Sequence, residues 1–160
     1  MEEAWGALNN ALGHVAFIVS AYQEFPDLNR MEEERFQDFV SNCRFDEADM
    51  RELQASSDRN KFYQDRIFWY HLRDAQRASR RFHRAVGRNS IFIEPEIRSR
   101  LIKIDGLMWR ALISRRVGHE ANNHKLWMEA ADRLSTEIEP LKNEIEALVQ
   151  KRLGYDVPAS

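Results

Sequence analysis

The chain has 160 residues, 43% apolar and 31% charged, with one cysteine and a formal net charge of −2. That balance excludes a disordered polyelectrolyte, and the length is enough for one domain, residues 1–154, with a continuous core and no metal or disulfide staple. The lone Cys43 excludes an internal disulfide and a cysteine-based metal cluster, which points to a reducing, cytoplasmic compartment.

The start, Met1-Glu2-Glu3, lacks the basic region of a secretory leader. The apolar run from Val15 to Tyr22 is too short to span a bilayer, so no membrane insertion is expected. A first helix is predicted over Glu3–Glu24, with Leu8, Ala11, Val15, Val19 and Tyr22 in one stripe, and Phe25-Pro26-Asp27 ends it. A short helix over Met31–Asn42 packs Phe36, Phe39 and Val40. Another follows from Asp46, whose carboxylate caps free backbone N–H groups.

A long helix is predicted over Asp58–Val86, with Phe68, Leu72, Ala75, Ser79, Phe82 and Val86 toward the core and Gly87 as its stop. The apolar triplet Ile91-Phe92-Ile93 is expected to tuck across the end of the helices. Glu94-Pro95-Glu96 opens a helix with the stripe Ile97, Leu101, Ile104, Met108 and Ala111, closed by Gly118. The last helix runs from Asn122-Asn123 to Leu153 with a near-heptad seam of Trp127, Ala131, Leu134, Ile138, Leu141, Ile145 and Leu148, kinked at Pro140. Residues 155–160 read as a frayed tail. The fold class is all-α, an antiparallel up-and-down bundle of three to four long helices with two short ones on its end or flank.

Charge is uneven along this order. Residues 1–58 carry 4 basic and 13 acidic side chains, residues 59–118 carry 15 and 5, and residues 119–160 carry 5 and 8. Arg73, Arg77, Arg80, Arg84 and Arg88, with Arg81 beside them, share one face of the long helix. Such a row contacts phosphates or a charged partner, stays solvated, or pairs with the acids of Glu32–Asp38 and Asp46–Glu52.

Arg77 and His83 are separated by five intervening residues. The spacing is similar to that of helical ribonucleases of the HEPN class, where such a pair lies at a dimer cleft and acts on the RNA backbone. The sequence departs from that pattern in Ala78, where a polar residue follows the arginine, and in the mid-helix position of the pair. His119 and His124 lie five apart, not the four that sets two imidazoles on one helix face, and Gly118 and Asn122-Asn123 mark a turn there. Neither a catalytic constellation nor a cofactor or metal site is predicted.

The aromatic side chains Phe62, Tyr63, Phe68, Trp69 and Tyr70, with Trp5, Trp109 and Trp127, exceed what one helix stripe hides. Tyr63, Trp69 and Tyr70 are therefore candidate interface residues as well as core residues. The stretch Asn60–Tyr70, then Phe82-His83, Asn89–Ile93 and the closing run Glu137–Val149, resembles a group of uncharacterised bacterial helical proteins. The resemblance covers about residues 58–154 and implies the fold alone. Function reads as a non-enzymatic module that self-associates or docks a protein partner. The alternative is RNA or nucleic-acid binding, or HEPN-like cleavage, through the arginine row.

Overall fold

The structure, a computed structural model, describes residues 1–154; residues 155–160, where a frayed tail was expected, lie outside the described residues. The described chain is all helix with turns: α1 (Glu2–Val19), α2 (Glu33–Asn42), α3 (Glu47–Ala55), α4 (Arg59–Arg88), α5 (Pro95–Glu120), α6 (His124–Arg133), a π-helical turn over Leu134–Ile138, and α7 (Glu139–Arg152). No helix of the described chain is long and apolar enough to cross a membrane. Where the sequence reads as one domain, the chain contacts gather into two compact units, Met1–Ala21 with Asp74 onward, and Tyr22–Arg73.

The smaller unit has its own core of Leu28, Phe36, Val40, Phe45, Leu53 and Ile67, with Phe39, Tyr63 and Tyr70 against it. Three rings meet Tyr63, the Phe39 and Phe45 rings at 5.2 and 5.3 Å and the Phe25 ring at 6.3 Å. Polar side chains fix the chain entering α4. Asn60 Oδ1 accepts from Leu28 N at 2.6 Å, and the Asn29 side chain donates to Asp58 at 3.0 Å. Asn60 also donates to Asp27, which holds that carboxyl below its ordinary range, as Asn29 does for Asp58. Their contribution is present above the ordinary aspartate pKa and is lost as the pH falls through the lowered values. Asp46 caps α3 as the sequence implies, its Oδ1 accepting from Asp49 N at 2.9 Å.

In the larger unit α5 packs on α1, α6 and α7. The predicted stripe of α5 is buried throughout, as are Ala75, Ser79, Phe82 and Val86 of α4. Three local expectations change. The first helix stops at Val19, not Glu24, and Tyr22 is 94% exposed. The cause is tertiary: Arg115 Nε donates to the carbonyl of Ile18 at 2.9 Å and Trp127 Nε1 to that of Val19 at 3.0 Å, so two end carbonyls of α1 are satisfied from α5 and α6. Of the apolar triplet only Ile93 is buried; Ile91 and Phe92 are 80% and 77% exposed. Gly87 and Gly118 lie inside α4 and α5 and do not end them.

The last predicted helix is divided. Pro140 sits in the first turn of α7, directly after the π-helical turn. Proline has no N–H to give the preceding turn and its ring crowds the carbonyl four residues back, so the backbone widens there. The extra residue per turn shifts the face, and Ala130 is fully buried where Ala131 was predicted.

At Gly118 the start of α6 lies close against α5. A Cβ there would stand 3.1 Å from Asn123 O, 3.2 Å from Trp127 N and 3.3 Å from Leu126 Cβ. Two of these atoms are backbone and cannot rotate away. Gly118→Ala is expected to lose about 1–2 kcal/mol in denaturant unfolding despite alanine's better helix propensity. A gain in stability would show that the two helices yield freely.

Candidate interaction surfaces

Arg73, Arg77, Arg80, Arg81, Arg84 and Arg88 are all exposed along α4. Three of the acids that the sequence offers as internal partners are paired within the smaller unit. Glu33 pairs with Arg59 at 3.2 Å, and Asp49 and Glu52 pair with Arg66 at 3.1 and 3.4 Å. Arg73 lies over the Tyr70 ring at 5.6 Å. Arg88 stands 3.9 Å from Glu3, both side chains well exposed, a contact of little energetic weight. Arg81, Arg84 and Arg88 form one wall of a shallow groove of about 230 Å³ floored by Ala7 and Ala85, with Glu3 at its rim.

Arg77 and His83 are not brought together. Six residues of α-helix send the two side chains out about 120° apart. His83 turns to α5 instead, where its Nδ1 lies 2.7 Å from Asp105 Oδ2. His119 closes α5 and His124 opens α6, with the His124 ring edge-on to Trp127 at 5.7 Å. Among the described residues no three His, Cys, Asp or Glu side chains converge on one point. Cys43 is half-buried, its Sγ donating to the carbonyl of Val40 at 3.2 Å.

The aromatic candidates have internal contacts. Tyr63 belongs to the ring cluster above, and burial pushes its phenol above the ordinary range. Tyr70 donates to Asp49 at 2.7 Å and accepts from Asp46 N at 3.0 Å, and its ring lies against Phe45 at 5.3 Å. Burial, then the neighbouring Asp49, raises its pKa despite the bond from Asp46 N. Trp69 is half-buried with its ring edge-on to Phe68 at 5.2 Å.

A different apolar surface lies on α5. Opposite its buried stripe run Ile102, Gly106, Trp109, Ile113 and Val117, at spacings of four, three, four and four. Ile102, Ile113 and Val117 are 57%, 54% and 36% exposed, Trp109 is half-buried, and Gly106 is exposed. A Cβ added at Gly106 would meet nothing within 4 Å, so packing inside this chain does not require a glycine there. A mid-helix glycine costs roughly 0.5–1 kcal/mol relative to alanine. The signal was in the sequence: Ile102, Trp109, Ile113 and Val117 recur at helical spacing on the side away from the core stripe. No protein-family profile, curated protein or solved structure matches this chain.

Proposed function

We propose that the protein is a non-enzymatic, cytoplasmic, self-associating interaction module, an antiparallel up-and-down bundle whose α5 is covered by α5 of a second copy. The antiparallel order is supported by Glu3 near the start of α1 meeting Arg88 at the end of α4, and by Glu94 just before α5 meeting Arg152 at the end of α7 at 2.7 Å. The observation that carries the reading is the exposed apolar row on the side of α5 away from its own core.

Four of the five positions of the row are self-complementary, as a two-fold interface requires, and the fifth, Trp109, faces Arg110. Reversed about the 109–110 peptide, Ile102 falls opposite Val117 and Gly106 opposite Ile113. Each Ile113 then enters the space that each Gly106 leaves open, which gives the glycine a use. Lys103 and Arg110 flank the row with like charge, while Arg116 beside them is paired with Glu120 at 3.8 Å. Association is therefore expected to strengthen as salt is raised, because screening removes repulsion between copies.

Cross-linking tests the register. In a Cys43→Ser background, a Gly106→Cys chain mixed with an Ile113→Cys chain is expected to form the mixed disulfide dimer faster than either forms its own, since only the mixed pair brings its Cα atoms within about 7 Å. Equal rates for all three pairings would reject the register. In an Ile113→Glu chain, where no partner enters, Gly106→Ala is expected to gain up to about 1 kcal/mol in unfolding free energy; a loss would mean that the glycine serves this chain's own packing.

A further inference from the structure

We infer that the outward face of α4 from Arg77 to Arg88 binds the phosphate backbone of single-stranded nucleic acid without reading its bases. This surface is separate from the α5 row, and the inference does not depend on self-association.

The first ground is unneutralised charge. Arg77, Arg80, Arg81 and Arg84 are exposed, and among the described residues none has an acidic partner within ion-pair distance. Like charges three and four apart on a helix destabilise it. Here 77/80, 77/81, 80/84, 81/84 and 84/88 are all such pairs. Folding brings Glu3 to within 3.9 Å of Arg88 but, among the described residues, pairs no acid with Arg77, Arg80, Arg81 or Arg84, whereas a bound polyanion offsets the whole row.

The second ground is periodicity. Arg77, Arg81, Arg84 and Arg88 follow one another every three or four residues, roughly 5–6 Å apart along the axis, over a run of about 17 Å. A regularly repeated anion engages all of them, while an isolated phosphate or a singly phosphorylated peptide engages only one or two. Guanidinium forks suit phosphate oxygens, which they grip in pairs.

The third ground is what the face lacks. The only ring between residues 77 and 88 other than His83 is Phe82, which is fully buried, and His83 is turned to Asp105. Without an aromatic platform for bases, contact is confined to the backbone and is indifferent to sequence. The groove beside Arg81, Arg84 and Arg88, floored by Ala7 and Ala85, gives the strand a low-walled track.

The test is fluorescence anisotropy of labelled oligouridine and oligothymidine with the full chain. Both are expected to bind, with log K falling against log salt at a slope of about −3 between about 50 and 200 mM, the value for four released counterions on a single strand. The variant Arg77→Glu/Arg80→Glu/Arg84→Glu is expected to lose about tenfold or more in affinity, whereas Arg30→Glu/Arg35→Glu in the other unit changes it little. The neutral variant Arg77→Gln/Arg80→Gln/Arg84→Gln, expected to melt no lower than the wild type, should show the same loss and so separates binding from folding. Absence of binding at the low-salt end, equal binding by the charge-reversed chain, or equal competition by a singly phosphorylated peptide would overturn the inference.

Discussion

Replacing Arg115 by alanine is expected to remove about 3 kcal/mol or more of folding stability. The side chain is 3% exposed, its guanidinium lies 3.8 Å over the Trp127 ring, and its Nε holds the carbonyl of Ile18. Burial lowers its pKa to about 10, still far above neutrality, so it is a buried cation under physiological conditions. Truncation leaves a cavity, an orphaned helix-end carbonyl and a ring without its cation. Methionine fills the volume and removes the cost of burying charge, so Arg115→Met is expected to lose only about 1–2 kcal/mol, mostly from the carbonyl. Lysine keeps the charge without the flat fork and should fall below methionine. Denaturant unfolding orders the three; an alanine variant within about 1 kcal/mol of wild type would mean that Arg115 does not hold the end of α1.

Replacing Phe36 by alanine is expected to cost about 3–5 kcal/mol, the range for a buried aromatic ring. Phe36 is fully buried in the core of the smaller unit, and Arg59 lies over its ring at 3.6 Å, so the change removes both packing and a cation–π contact. Because each unit has its own core, the loss should be local. Native-state hydrogen exchange is expected to show α2 and α3 losing protection while α1, α5, α6 and α7 keep theirs. A uniform fall across all helices would show one cooperative core instead.

These two sites differ in how far the sequence revealed them. Phe36 was legible, because apolar side chains at helical spacing locate a core whatever the tertiary arrangement. The stripes of α4 and α5 were read correctly for the same reason. Arg115 was legible only as a position: four residues after Ala111 it continues the buried stripe of α5, as Arg110 and Arg116 do not, but the end of α1 that gives its guanidinium a partner is a tertiary contact. The same contact explains why the first helix was read too long: Tyr22 continues the periodicity of α1, but the carbonyls of Ile18 and Val19 are claimed from elsewhere.

The candidate surfaces divide in the same way. The arginine row was visible as spacing, and the structure adds that Glu33, Asp49 and Glu52 are committed to Arg59 and Arg66. The row on α5 was present in the letters but hidden behind a better stripe. Only once Leu101, Ile104 and Met108 are seen facing inward do Ile102, Trp109 and Ile113 become a second face.

The most direct test of the central claim, that a second copy covers α5, is sedimentation velocity of the unmodified chain over a concentration series. The account predicts a shift from monomer to dimer that is stronger at higher salt, and an Ile113→Glu chain that stays monomeric with the circular dichroism melt of the dilute, monomeric wild type. A wild-type chain that remains monomeric at high micromolar concentration, or an Ile113→Glu chain that dimerises equally well, would contradict it.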